Sequence, residues 1–327
     1  MLSLSYIVAL VALTIFAWGP VARLLGLGDG SPGYTGSDST SPSSSSSSSS
    51  SSPRSRHPRP NLNASLIALE DDDDDDDDDV FSSSSTTTTS CPPATYATHV
   101  VSRAPLVLYL EGFVSAAERA HLLSLAAGAY EPSTVTDDAG TLRRDESVRL
   151  SDVAVVERTP ATRCVEARAR ALQGWRDELW LERLRVQRYG VGGKYGHHFD
   201  LCDMSEMGMD ARHGYGRVSS MMVWLDDGNG TLVGGGTEFP LLRRPGADAR
   251  WCRFIECPEE GNDKASKQQQ PQRGVVFKPV LGNAVYWENF PPGTVAGPGY
   301  DESWHAGLPV EAGVKVGLNI WSLGRLD

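Results

Sequence analysis

From residue 314 to residue 321 apolar and polar positions alternate without a break. Val314, Val316, Leu318 and Ile320 fall on one side, Lys315, Gly317, Asn319 and Trp321 on the other. Successive side chains of a strand point to opposite faces, so one face here is wholly aliphatic and the other carries a cation, an amide and an indole. Other β-type runs separated by glycine precede it from residue 180 onward: LRVQRYG, RVSSMMVWLDD, GVVFKPV and NAVYWEN. Upstream, Val107 to Leu110 reads as a short strand. Ser115-Ala116-Ala117-Glu118 is a capping box opening a helix through LLSLAAGA, and Thr159-Pro160 opens a second, carried by VEARARALQGW. Two helices followed by many strands predict an α+β domain whose strands form a barrel or sandwich.

The first hundred residues have a different pattern. Residues 2–18 are almost uncharged and apolar, followed by Gly19, Pro20 and Arg23. They suit a short signal-anchor helix, a cleaved signal or a buried helix. Residues 24–90 hold a serine run from Ser43 to Ser52, aspartates Asp71 to Asp79 and SSSSTTTTS at 82–90. Such composition buries too little apolar surface to offset chain entropy, so a disordered Ser/Asp/Thr-rich stalk is expected over 24–99, after a signal segment at 1–23 and before a folded domain at 100–327.

Charge adds little beyond this. Of the formal net charge of −12, Glu70 and the aspartate run account for ten, which leaves no basic nucleic-acid footprint. Five cysteines, Cys91, Cys164, Cys202, Cys252 and Cys257, permit at most two disulfides. Cys252 and Cys257 are near enough to pair in an oxidising compartment, and free thiols are the alternative. Asn63-Ala64-Ser65 and Asn229-Gly230-Thr231 are glycosylation sequons, which also favour the lumen.

The candidate chemistry lies in YGVGGKYGHHFD, residues 189–200. On an extended strand His198 and Asp200 share a face while His197 and Phe199 point the other way. An imidazole beside a carboxylate makes two metal ligands, and His305, in SWHAGLPV, is the one histidine downstream of the β-runs. Two histidines and a carboxylate leave positions open on a metal, which suits non-haem iron(II) better than zinc. Gly190, Gly192 and Gly193 supply a loop ahead of the pair.

YGVGGKYGHHFD, GGGTEFP at 234–240, GNAVYWEN at 282–289 and HAGLPVEAGVK at 305–315 occur in the order found in prolyl 4-hydroxylase α-subunit catalytic domains. The chain resembles that family of iron(II)- and 2-oxoglutarate-dependent dioxygenases over about residues 106–323. The resemblance implies a double-stranded β-helix (jelly-roll, cupin-like) barrel with supporting N-terminal helices; the chain departs from the family in an expanded segment at about 243–274, expected to be a surface insertion with a lobed or partly disordered tip. It implies His198, Asp200 and His305 as ligands of Fe(2+), and Lys315 as partner of the distal carboxylate of 2-oxoglutarate. Tyr189 and Thr237 are implied as cosubstrate contacts, and Trp321 as lining the substrate end. It further implies L-ascorbate as reductant, O2 as co-reactant and a proline-containing polypeptide as substrate. With the sequons and the apolar segment, the expectation is a lumenal domain of the endoplasmic reticulum, held by its membrane segment or released if that segment is cleaved. Leu308 and Val316 stand where many relatives carry cysteine and tryptophan, so a related dioxygenase acting on another side chain or a small molecule stays open. A non-catalytic binding module is the third reading.

Overall fold

The computed structural model describes residues 66–68, 91–136, 142–176, 178–200, 215–246, 249–257, 273–291 and 298–325. The apolar segment 2–18, the serine and aspartate runs, Asn63, Cys202 and most of the glutamine-containing part of the insertion lie outside them. No helix among the described residues is long and apolar enough to cross a membrane.

The described residues are mostly strand, in two principal antiparallel sheets. The larger has ten strands; its main path runs Ala97–Arg103, Leu106–Glu111, Ala284–Glu288, Tyr215–Asp226, Lys315–Arg325, Arg185–Tyr189, Asp152–Val155 and Glu131–Pro132. The smaller has five, in the order Arg273–Phe277, Thr237–Arg243, His305–Gly307, Lys194–His198 and Arg149–Leu150.

Alternation along the larger sheet sorts its side chains into two cores. Leu108, Leu110, Met221, Val223, Leu225, Ala284, Tyr286, Val316, Leu318 and Ile320 form one, together with Leu122, Ala126, Val165 and Ala169 of the helices Ala116–Ala126 and Pro160–Leu172. Val107, Tyr109, Met222, Trp224, Val285 and Trp287 point the other way and pack with Phe239, Leu242, Val275 and Phe277 of the smaller sheet. The chain is thus layered as helices, large sheet, small sheet. The aliphatic face of the 314–321 segment meets the helices, and its face with Lys315, Asn319 and Trp321 meets the space between the sheets.

Helix starts follow local chemistry. The Ser115 side chain accepts from the Glu118 amide at 3.2 Å and Glu118 accepts from the Ser115 amide at 2.8 Å, satisfying donors that a helix N-terminus leaves free. Glu118 also takes a 2.6 Å ion pair from Arg168 on the other helix, which fixes the two helices to each other. Thr159 caps the second helix, with Pro160 in its first turn.

Four expectations change. The two sheets form separate ladders and do not close into a barrel, so the fold is an open sandwich of the jelly-roll kind. The domain is mostly β rather than α+β, and strands Ala97–Arg103 and Leu106–Glu111 precede both helices, so these are not N-terminal supports. The stalk boundary moves: Ile67–Ala68 pairs with Leu179–Glu182 and is buried, because LIAL is a short apolar island between polar tracts. Cys91, also within the expected stalk, is disulfide-bonded to Cys164 on the second helix. Finally, the first part of the 243–274 insertion is no surface lobe. Trp251, Phe254 and Ile255 are buried in the core between the sheets, and the Cys252–Cys257 disulfide closes the loop that carries them.

Candidate functional site

His198 and His305 are direct cross-strand partners in the smaller sheet, which brings their ring centroids to 4.3 Å. Asp200 lies just past the end of its strand, with Oδ1 3.5 Å from His198 Nε2 and Oδ2 3.8 Å from His305 Nε2. One ligand atom from each residue falls within 4.8 Å of the others. The ring orientations are fixed from behind. His198 Nδ1 is 2.8 Å from the Gly196 carbonyl and His305 Nδ1 is 2.8 Å from the Ser303 carbonyl. A carbonyl only accepts, so each Nδ1 carries the hydrogen and each Nε2 lone pair is left to face Asp200. Phe239 stacks on the His305 ring and Tyr195 on the His198 ring.

His197 and Phe199 turn to the opposite side, as strand parity requires. His197 Nε2 sits 2.8 Å from Glu238, and both side chains lie against Trp304.

Burial of Asp200 acts to raise its pKa, but His305, His198 and Arg217 outweigh it and hold the carboxyl well below the usual range. Burial, reinforced by His198, pushes the His305 imidazole down to about 4, so it is neutral at pH 7 with its lone pair available. An oriented imidazole pair with one carboxylate is the donor set that suits a divalent metal with open positions.

Behind the carboxylate, Trp321 donates its indole N–H to Asp200 Oδ2 at 2.9 Å. Arg217 and Arg185 lie over the indole at 4.1 and 5.3 Å from its centroid, and both pair with the buried Glu182 carboxylate. Trp321 does not line the cavity beside the three ligand residues. The indole, tied to the carboxylate by its N–H, is part of the wall that positions Asp200.

That cavity is small, about 360 Å³ of empty space counting the part open to solvent. The three ligand residues stand at one part of its wall, and Lys315, Tyr189 and Thr237 also line it. Lys315 is 2 % exposed, and burial alone lowers its ammonium pKa to about 8. No carboxylate among the described residues pairs with it; its Nζ lies 5.3 Å from the Tyr189 ring centroid, and Tyr189 is its direct cross-strand partner. The Thr237 hydroxyl is buried without a hydrogen-bond partner among the described residues. A buried cation and a buried free donor are costly unless an anion with several acceptor oxygens completes them. These residues therefore fit a small carboxylate ligand beside a metal.

Two glycines make this arrangement possible. Gly192, at φ +80°, turns the loop ahead of the ligand strand and donates to the Val310 carbonyl at 2.8 Å. Gly235, at φ +70°, lies against the lysine: a Cβ there would stand 3.2 Å from Lys315 Cδ.

His198, Asp200, His305, Lys315, Tyr189 and Thr237 thus share one cavity, although they come from different strands of both sheets. Gln187 and Asn319 line it too and were not singled out from sequence. The signal was present in strand parity, since Gln187 shares a face with Tyr189, and Asn319 with Lys315.

The family model described as the 2OG-Fe(II) oxygenase superfamily matches residues 184–323, which contain every residue of this cavity. Among curated proteins, the chain is 28 % identical over 230 residues to prolyl 4-hydroxylase 2 of Arabidopsis thaliana, covering 68 % of each chain. It is 27 % identical over 223 residues to probable prolyl 4-hydroxylase 4 of the same plant, again covering 68 % of each. Among solved structures, the viral collagen prolyl hydroxylase of Paramecium Bursaria Chlorella virus-1 in its 2OG complex aligns with TM-score 0.44 and 21 % identity, over 67 % of this chain and 96 % of that one. The match of residues 184–323 to the 2OG-Fe(II) oxygenases, together with the prolyl 4-hydroxylase relatives, supports a prolyl 4-hydroxylase-like 2-oxoglutarate-dependent dioxygenase.

Proposed function

We propose that this dioxygenase hydroxylates prolyl residues of polypeptides in the secretory pathway, using Fe(2+), 2-oxoglutarate and O2, with L-ascorbate as accessory reductant. One observation carries the reading of the site: a buried lysine, unpaired among the described residues, shares a small cavity with a converging His–Asp–His set. Iron(II) with 2-oxoglutarate, when bound, supplies the oxidation, in which one oxygen atom enters the substrate C–H bond and the other leaves in succinate, with release of carbon dioxide.

The chain's own residues supply position and charge. His198, Asp200 and His305 would hold the iron, the anionic carboxylate offsetting part of its charge. Lys315 would pair with the cosubstrate carboxylate remote from the metal, and the Thr237 hydroxyl would donate to the same ligand. Burial pushes the Tyr189 phenol up, so it stays protonated and serves as a hydrogen-bonding wall beside the lysine. Met222 and Trp287 close the cavity with apolar surface that keeps water from the reacting centre.

The test is succinate release by the full chain with iron(II), 2-oxoglutarate and ascorbate, with and without a panel of proline-containing peptides. The expected outcome is peptide-stimulated succinate with one oxygen atom added to a prolyl residue. Succinate that no proline peptide stimulates would move the substrate to another side chain or a small molecule. No succinate, with wild type equal to His198→Ala, would leave a binding module.

The lumenal part of the proposal draws on the Cys91–Cys164 and Cys252–Cys257 disulfides, which need an oxidising compartment. It draws also on the sequon at Asn229, an exposed turn tip whose φ of +60° asparagine tolerates well. The apolar segment 2–18 would provide the membrane anchor or the cleaved signal. Glycosidase treatment of the cellular protein is expected to increase its mobility, with part of the shift lost in Asn229→Gln. A glycosidase-insensitive protein with a cytosolic C-terminal tag would refute the assignment.

A further inference from the structure

The cavity is lined by one more donor, the side-chain amide of Gln187. Gln187 is 1 % exposed, lines the cavity and accepts the Tyr189 hydroxyl hydrogen on its Oε1 at 2.6 Å. With Oε1 so engaged, its Nε2 is the remaining donor, and that nitrogen is buried without any hydrogen-bond partner among the described residues. A buried amide NH2 left unpaired costs free energy that a solvent-facing glutamine would not incur, and an apolar residue of similar shape would avoid it.

Register shows where this donor lies. Tyr189 stands opposite Lys315 and Gln187 opposite Gly317, so Gln187 is one same-face step along the sheet from the lysine. Its cross-strand neighbour has no side chain, and the diagonal separation to Lys315 is about 7–8 Å between backbones, within reach of two long side chains. The amide and the ammonium therefore border the same part of the cavity.

We propose that Gln187 is a ligand-binding residue: its Nε2 donates to the same 2-oxoglutarate carboxylate that Lys315 pairs with, while its Oε1 holds the Tyr189 hydroxyl in place. This rests on the reading of the cavity as a 2-oxoglutarate site. A carboxylate has about four acceptor positions and an ammonium cannot fill them all, so a neutral donor at a second angle fixes the ligand's orientation as well as its charge.

The experiment measures ligand affinity without turnover. The full chain is loaded with manganese(II) as the probe metal and titrated by calorimetry with 2-oxoglutarate and, separately, with pyruvate. Pyruvate keeps the 2-oxo acid end and lacks the remote carboxylate. For Gln187→Leu the Kd for 2-oxoglutarate is expected to rise about tenfold, the loss of one hydrogen bond to a charged acceptor. The Kd for pyruvate and for manganese should stay at the wild-type values. Gln187→Met, closer in length, is measured beside it and carries the test if the leucine variant does not fold. Equal weakening of both ligands would mean that Gln187 only shapes the cavity, and no weakening would mean that its amide donates to neither; each overturns the inference. Wild type that binds pyruvate and 2-oxoglutarate alike, or neither, would overturn the reading of the cavity itself.

Discussion

Replacing His198 by alanine is expected to abolish manganese or iron binding by the full chain and with it succinate release, whereas His197→Ala keeps metal affinity within about twofold of wild type. The two residues are adjacent in sequence and differ in which way the strand turns them. His198 faces His305 across the ladder and presents Nε2 to Asp200; His197 faces Glu238 and Trp304 outside the cavity. Removing one of three ligands forfeits more than removing a group that merely orients one, which typically costs about 10–100-fold in metal affinity. Trp321→Phe tests that lesser loss in the same titration, since it deletes the N–H held by Asp200 Oδ2 and keeps an aromatic ring under Arg217. Its effect is expected to fall between those of the two histidine variants and to appear in metal affinity. Were Trp321 a cosubstrate contact, metal affinity would be untouched and 2-oxoglutarate affinity would fall. If His197→Ala lost the metal and His198→Ala kept it, the strand register itself would be wrong.

What the sequence made legible follows the physics of each sheet. The central strands of the larger sheet are long and bury at least one face, so the alternation at 314–321 and the apolar runs at 217–226 and 284–288 are readable directly. The smaller sheet is built from segments such as KYGHH, TEFPLLR and HAG, in which ligand residues and glycines replace the apolar alternation. Periodicity is silent there, and only the ordered motifs revealed them. Parity within a strand correctly separated His198 from His197, but nothing local could say that His198 and His305 would be cross-strand partners, since their pairing joins positions far apart in the chain. Trp321 shows the limit from the other side. Its face was read correctly from alternation, yet whether an indole on that face meets ligand or Asp200 depends on where the chain past residue 198 returns. The strand at Ile67–Ala68 was hidden by composition: a short apolar island carries little weight between a sequon and nine aspartates, although pairing with Leu179–Glu182 buries it fully.

Lys315 gives the largest opposed pair of effects. Burial holds its ammonium at about 8, below its usual 10.5, so the ligand-free protein gives up roughly 3 kcal/mol at pH 7 to keep a charge where it has no partner. The sign follows from proton counts. Between about pH 8 and pH 10.5 the unfolded chain binds more protons at this site than the folded one, so stability rises with pH across that window, and the full penalty is present below it. Lys315→Met is therefore expected to raise the stability of the ligand-free protein by up to about 3 kcal/mol at pH 7, and to flatten its rise between pH 8 and pH 10.5, measured by denaturant unfolding. The same substitution should remove nearly all 2-oxoglutarate affinity, since it leaves a carboxylate in an apolar wall with no cation. In wild type the coupling runs in reverse. The ligand's carboxylate favours the ammonium form, so 2-oxoglutarate binding takes up protons at and above pH 8, and affinity falls as pH rises through that value. A 2-oxoglutarate affinity that stays level from pH 7 to pH 9.5, or a methionine variant less stable than wild type, would show that the lysine already has a partner and that the cavity is not waiting for an anion.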